Sequence, residues 1–377
     1  MKRRHLLQHL AATSATLALP STFAQAERRI VLGQSAAFSG PAAYLGTQLN
    51  RGAKVYFDAL NAAGGVNGHT IELRTLDDGY EPDRCKANTE RFIDRDNVFA
   101  LFGYVGTPTC LAAMPLVQEN RTLFFAPFTG AESLREPFSR NVFHIRASYF
   151  DETALIVKQL LSIGLTKIAV FYQDDAYGQA GLAGVNRAMK AANLAPVATG
   201  TVERNTVNVA QAVKSITAAM PEAVVQISAY KSSAAFIRDA RKAGYGGTFY
   251  NVSFVGTQAL ADELGREARG IMISQVMPSP FSSTAALSRE YLAAVAKAGG
   301  DATPNYSSME GYVAAKVFAE GLKRAGRNPN RDGFITAMES IQNVNLGGFP
   351  VNFGARDHVG SHFVELSMLT EDGKVRR

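Results

Sequence analysis

Four stretches bring hydroxyls, aromatic rings and helix starts to places where the chain turns: AAFSGPAAY (36–44), DDGYEPD (77–83), GYVGTPT (103–109) and APFTGAES (126–133). Each follows an apolar run that reads as a strand. Thr107 ahead of Pro108 fits a helix N-cap with proline at the first helical position, and Thr129-Gly130 offers a second helix start. A helix N-terminus presents free N–H groups and about half a positive charge, so two of them aimed at one point suit a carboxylate. None of the four stretches contains lysine, and N–H groups with hydroxyls can neutralise a small monovalent anion without one. Phe38, Ser39, Tyr44, Tyr104, Phe128 and Gly130 share these loop ends. Each ring suits ligand contact or ordinary packing, and each threonine suits capping alone.

Catalytic chemistry fits less well. GYVGTPT lacks the Gly-Lys-Ser/Thr of a phosphate loop, no GxGxxG follows the first strand, and no GxSxG elbow is present. His69 falls in a turn, His144 in a strand, and His358 and His362 in a Gly-rich loop and strand whose four-residue spacing would suit a metal only on a helix. Asp77-Asp78 reads as a solvated strand end with no acid–base partner in view. The sequence implies no enzyme, no cofactor and no metal.

The elements that must position these loops alternate regularly. RIVLGQS reads as a strand, YLGTQLNRGAKVYFDALNAAGG as a helix stopped by Gly64-Gly65, TIELRTLDD as a strand, DRCKANTERFID as a helix, and VFALFG, TCLAAMPLVQEN and TLFFAP continue the series. After NVFHIR it restarts with DETALIVKQLLSIG, KIAVFYQ, AYGQAGLAGVNRAMKAAN, APVATGTV, VNVAQAVKSITAAM, EAVVQIS, KSSAAFIRDARKAG and TFYNVS. Two such series predict an α/β protein of two doubly wound parallel sheets. Strand GIMISQVMP then leads into three helices, which read as returning to the first lobe. No low-complexity linker separates the halves, which favours several short crossovers over one tether.

Bulk properties set the address. Lys2, Arg3 and Arg4 precede an Ala/Leu/Thr run ending in Ala24-Gln25-Ala26, an export signal that places the mature start near Glu27. Arg3-Arg4 fits a twin-arginine signal and an ordinary secretory one equally. The formal charge of +6 drops to +3 without those three residues, and nothing marks a nucleic-acid surface. No later run is apolar enough to span a bilayer. The two cysteines, Cys85 and Cys110, suit either a disulfide, as an even count in an exported chain favours, or two small buried thiols.

The segments AAFSGPAAYLGTQLNRGAKVYFDALNAAGGVNGHTIEL, DDGYEP, FALFGYVGTPT, KIAVFYQDDAYGQAGLAG, FIRDARKAGY and GYVAAKVFAEGLKRAG resemble type I periplasmic ligand-binding proteins of the leucine/isoleucine/valine-binding kind. The likeness covers nearly everything after residue 27. It implies a hinged trap of two lobes joined by three crossovers, with 27–146 plus 277–352 in lobe 1 and 147–276 plus 353–377 in lobe 2. It also implies a small-molecule ligand, an amino acid or an aromatic or other organic acid. The partners would be ABC permease and ATPase subunits, the location the periplasm and the form a monomer. The alternative is the same trap feeding a receptor or regulator.

Carried over residue by residue, the ligand carboxylate falls to Thr107, with Phe128, Thr129 and Gly130 beside it. The second lobe offers Tyr177 and Tyr230. Aliphatic amino acid binders place an acid after the strand that here ends in YNVSFVGT, where this chain has Ser253 or Phe254. Glu310 or Asp174 would have to replace that charge, or Lys231 would meet a second acidic group.

Overall fold

The computed structural model describes residues 28–376, so the export signal expected at 1–26 lies outside the described residues. The first sheet is built from β1 (Arg28–Ala36), β2 (His69–Asp77), β3 (Ala100–Phe102), β4 (Leu123–Phe125) and β5 (Val142–Phe143), in the order β2-β1-β3-β4-β5. All its pairings are parallel. Its strands are linked by α1 (Ala43–Ala62), α2 (Pro82–Asp94) and α3 (Thr107–Glu119).

The second series comprises α4 (Tyr149–Ser162), β6 (Ile168–Gln173), α5 (Ala176–Ala191), β7 (Ala198–Val202) and α6 (Ala210–Ala218). It continues with β8 (Ala223–Ile227), α7 (Tyr230–Lys242), β9 (Thr248–Asn251), α8 (Thr257–Leu264) and β10 (Met272–Gln275). Every residue of β8, AVVQI, is buried, as expected of a strand covered on both faces. The helix α4 starts on a reciprocal capping box between Ser148 and Asp151, and α5 on Asp175, whose carboxylate accepts from the Tyr177 and Gly178 amides.

After β10 come α9 (Ala286–Ala298), α10 (Tyr306–Ala325), α11 (Arg331–Glu339), the short hairpin β11 (Val344–Asn345) with β12 (Pro350–Val351), then β13 (Glu365–Leu369) and β14 (Val375–Arg376). The three helices pack on the first sheet's core, where Phe102, Phe125, Phe318 and Phe334 meet. Here α1 and α10 approach so closely that a Cβ at Gly52 would stand 1.8 Å from the Ser308 carbonyl oxygen, and one at Gly311 2.0 Å from that of Leu49. The second sheet runs β14-β13-β10-β9-β8-β6-β7. Its parallel strands are extended by β13 and β14, which pair antiparallel at the edge, a feature absent from the sequence expectation. The chain therefore passes between the sheets after β5, after β10 and after β12.

Cys85 and Cys110 are free, fully buried thiols in one apolar cluster with Phe92, Leu101 and Phe124. The disulfide alternative is thus not formed in this structure. Burial pushes both thiol pKa values up, which makes them poor nucleophiles.

Candidate functional site

The loops after β2, β3 and β4 meet those after β6, β8 and β9 at the carboxyl ends of both sheets, where open α/β proteins hold their ligands. Thr107 and Thr129 lie at the centre, both fully buried, with their hydroxyls 2.6 Å apart. Thr107 is not the cap of α3. That place belongs to Gly106, and Thr107 sits inside the first turn, which frees its hydroxyl for Thr129. The second helix start is likewise only a short 3-10 turn over Glu132–Leu134, with the Thr129 hydroxyl accepting from the Ala131 amide at 3.2 Å. The paired helix N-termini expected from the sequence therefore reduce to one.

Aromatic rings from both sheets surround this pair. Phe254 stands 5.6 Å from Phe128, 6.0 Å from Tyr80 and 4.6 Å from Tyr177, and Tyr177 stands 5.4 Å from Tyr149. The Tyr149 hydroxyl lies 3.4 Å from that of Thr129, and the Gly130 carbonyl accepts from the Tyr149 amide. The Tyr177 hydroxyl is fully buried and has no hydrogen-bond partner.

Beside the rings lies an ionic group. Arg146 is 1% exposed, with its guanidinium carbon 4.7 Å from the centre of the Phe128 ring. It donates through Nη2 to the Ser253 hydroxyl and pairs with Glu152 at 3.9 Å and with Glu310 at 3.6 Å. Its Nε and Nη1 make no hydrogen bond. Burial would lower the Arg146 pKa, but the two carboxylates more than offset it and keep the group charged. Glu152 accepts from the Ser253 amide at 2.7 Å, the Ser253 hydroxyl at 3.0 Å and the Ser274 hydroxyl at 2.5 Å. Burial pushes Glu310 up to about 7, partly opposed by Arg146. Glu310, Phe128, Ser253, Gln275, Tyr306 and Ser307 line a gap of only about 10 Å³, so the cleft is shut.

A second lobe-to-lobe contact lies after β7. Arg204 reaches Glu81 at 2.9 Å and Asp175 at 3.4 Å, while the Asn205 amide donates to the Gly79 carbonyl and to Glu81. Gln173 donates to the Tyr80 hydroxyl at 3.2 Å in the same region.

Several sequence-predicted residues fall elsewhere. Tyr44 and Tyr230 face each other with ring centres 6.1 Å apart, beside an open recess of about 430 Å³ lined by Lys231, Asp262 and Glu263. Phe38 packs half-buried against the central core, while Ser39 is exposed and tied to Asp77. Tyr104 does not face the cleft. Gly103 takes a positive φ of 60°, which breaks the strand's alternation and turns Tyr104 into the cluster of Cys85 and Phe124, its hydroxyl 3.1 Å from that of Thr89. Asp174 is exposed and outside the group.

Asp78 is fully buried rather than solvated, bonded to the Ser35 hydroxyl and the Tyr80 amide. His144 and His358 are buried in structural hydrogen bonds to the Leu134 and Val142 carbonyls, and His362 pairs with Asp151 at the surface. A recess of about 590 Å³ between α1 and α9 lies away from these strand ends. Among the described residues no group of three or more His, Cys, Asp or Glu could hold a metal, and no helix is long and apolar enough to cross a membrane.

Tyr80, Arg146, Tyr149 and Glu152 were not singled out by sequence reasoning. The available signal was Arg146 itself, a lone charge within the otherwise apolar run Val142–Ala147 apart from His144.

Two parallel-dominated sheets joined by three passages, with rings and polar groups converging at their facing ends, define a two-lobed α/β binding protein. The periplasmic binding protein family model matches residues 29–374, so the chain belongs to that family. It is 28% identical over 98% of its length, and 95% of the relative's, to Leu/Ile/Val-binding protein homolog 7 of Brucella abortus. Among solved structures it resembles a possible leucine/isoleucine/valine-binding protein from Rhodopirellula baltica (33% identity, TM-score 0.88, 93% of this chain and 96% of that one). It also resembles a substrate-binding periplasmic protein from Ralstonia solanacearum (36% identity, TM-score 0.87, 92% and 99%).

Proposed function

We propose that this chain is the extracytoplasmic solute-binding component of an ABC uptake system, capturing a small carboxylate-bearing solute between its lobes and presenting it to membrane permease subunits. The observation that carries this reading is the Tyr177 hydroxyl. It is wholly buried among groups from both sheets yet bonds to nothing, a costly arrangement unless a guest completes it.

In this cycle the cleft opens about the passages near Arg146, Met277 and Phe353. The Thr107 and Thr129 hydroxyls exchange their mutual bond for bonds to the solute carboxylate. Its body lies among Phe128, Tyr149, Tyr177 and Phe254, and Tyr44 and Tyr230 flank the mouth. Only the closed form offers both walls at once, so the solute shifts the hinge equilibrium by its preference for that form. Moving the balance from 1:99 to 99:1 takes about 5.5 kcal/mol. Charge-assisted hydrogen bonds of roughly 1.5–3 kcal/mol each, with an apolar group buried, suffice.

A thermal-shift screen of amino acids, aromatic acids and dicarboxylates tests this. A binder at a hundredfold excess over its Kd adds about 2.7 kcal/mol of apparent stability. T107A and T129A should each weaken such a hit. Unchanged affinity in both variants would remove the carboxylate assignment.

A further inference from the structure

We propose that the recess between α1 and α9 is a second ligand site, separate from the cleft, for an amphipathic organic monoanion: one carboxylate on an extended apolar tail. At about 590 Å³ it falls within the roughly 300–1,000 Å³ typical of small-molecule sites. It is built from α1 and from the end of α9 with the turn that follows, and shares no residue with the gap beside Glu310.

The α1 wall is one continuous stripe. Thr47, Arg51, Val55, Ala59 and Ala62 recur every three or four residues, so they share a face about 22 Å long at 1.5 Å per residue. Opposite them α9 supplies Ala294 and Ala298. Val55, 7% exposed, forms the floor. Ala59, Ala62 and Ala298 are exposed, at positions where a helix facing water ordinarily carries long polar side chains. Such chains would fill the trough; alanine keeps it open and lined by apolar atoms, which gain by covering a tail.

Charge selects the head group. Arg51, Lys54 and Lys297 line the recess with Asp58 and Asp301, a balance of +1. Arg51 and Asp301 are tied to each other, through the Asp301 carbonyl at 2.6 Å and its carboxylate at 3.8 Å. Lys54 on α1 and Lys297 on α9 make no ion pair among the described residues. The two walls therefore each present an ammonium group, opposed only by Asp58. One carboxylate set between them neutralises the excess, whereas a cationic head adds to it.

The test is calorimetry on the full chain at pH 7 with decanoate, octanoate and decyltrimethylammonium. Decanoate is expected to fill one site that survives in the T107A/T129A double variant, which separates it from anything held in the cleft. Octanoate, two methylenes shorter, should bind about tenfold weaker, and decyltrimethylammonium weaker again. Lys54→Glu with Lys297→Glu should weaken decanoate about tenfold. Ala298→Trp, which fills the trough from its exposed side, should abolish binding, and the lysine pair serves if that variant does not fold. Decanoate that gives no heat, that binds no better than decyltrimethylammonium, or that is indifferent to the lysine changes overturns the proposal. So does decanoate binding that disappears in T107A/T129A, which would place it in the cleft. A dimer in sedimentation that the lysine changes dissolve would assign the recess to a second copy of the chain and overturn it as well. None of these outcomes bears on the carboxylate trap.

Discussion

The Arg146 group and the Arg204 clasp both hold the two sheets together, but by different physics. Arg146, Glu152 and Glu310 are buried, with side chains 1%, 0% and 8% exposed. Arg204 and Glu81 remain 23% and 43% exposed, and Asp175 11%. In the first, a lost partner strands a charge in a medium that cannot solvate it. In the second, water replaces whatever the partner supplied. The buried group therefore governs whether the molecule stays folded, and the clasp governs only how often it is shut.

The sharpest way to break this contrast is Arg146→Met, which leaves Glu152 and Glu310 facing each other without a cation. Urea unfolding should show a loss of about 3–5 kcal/mol, and a loss below ~1 kcal/mol would mean that the two carboxyls are already neutral. Phe254→Ala removes the ring shared by Tyr80, Phe128 and Tyr177. It should cost roughly 3 kcal/mol, with small-angle scattering reporting a more open shape.

The pH response comes next. Glu310 sits at about 7 in the folded protein against an ordinary 4.5, so between those values the folded form holds a proton that the unfolded chain has lost. Its contribution is complete below 4.5 and disappears as the pH rises through 7. Glu152, also raised by burial, acts in the same direction. Stability should fall between pH 5 and 8 by on the order of 1–3 kcal/mol, and E310Q should flatten the curve in melts run across that range. The smallest effect belongs to Arg204→Ala with Asn205→Ala. Less than about 1 kcal/mol of stability should be lost per pair, while scattering of the ligand-free protein shifts toward an open form. An unaltered profile would show that the buried group alone keeps the cleft closed.

Much of this was legible in the sequence because the alternation of elements dictates where strand ends fall. The structure gathers Thr107, Phe128, Thr129, Tyr177 and Phe254 where the two sheets' strand ends face each other, with Glu310 beside them on α10. Tyr104 was misplaced by the same reasoning, since a single residue with positive φ at Gly103 reverses which side the next ring faces. Asp78 looked solvated because nothing local reveals that Ser35, forty-three positions earlier, closes over it. The ionic group was hidden for a related reason. Arg146 meets Ser253, 107 positions away, and Glu310 on α10, and no periodicity encodes such pairings. Glu152 against Ser253 explains how an acid can stand near the position after β9 without occurring there in the sequence.

The interleaving of the chain has a consequence for its synthesis. The first core waits for α10, which seats against α1 through Gly52 and Gly311, and the second sheet waits for β13 to join β10. A ribosome must deliver almost the whole polypeptide before either half can seal, and contacts so distant in sequence form slowly. Until then each half lacks one wall of its core, so neither completes its burial early.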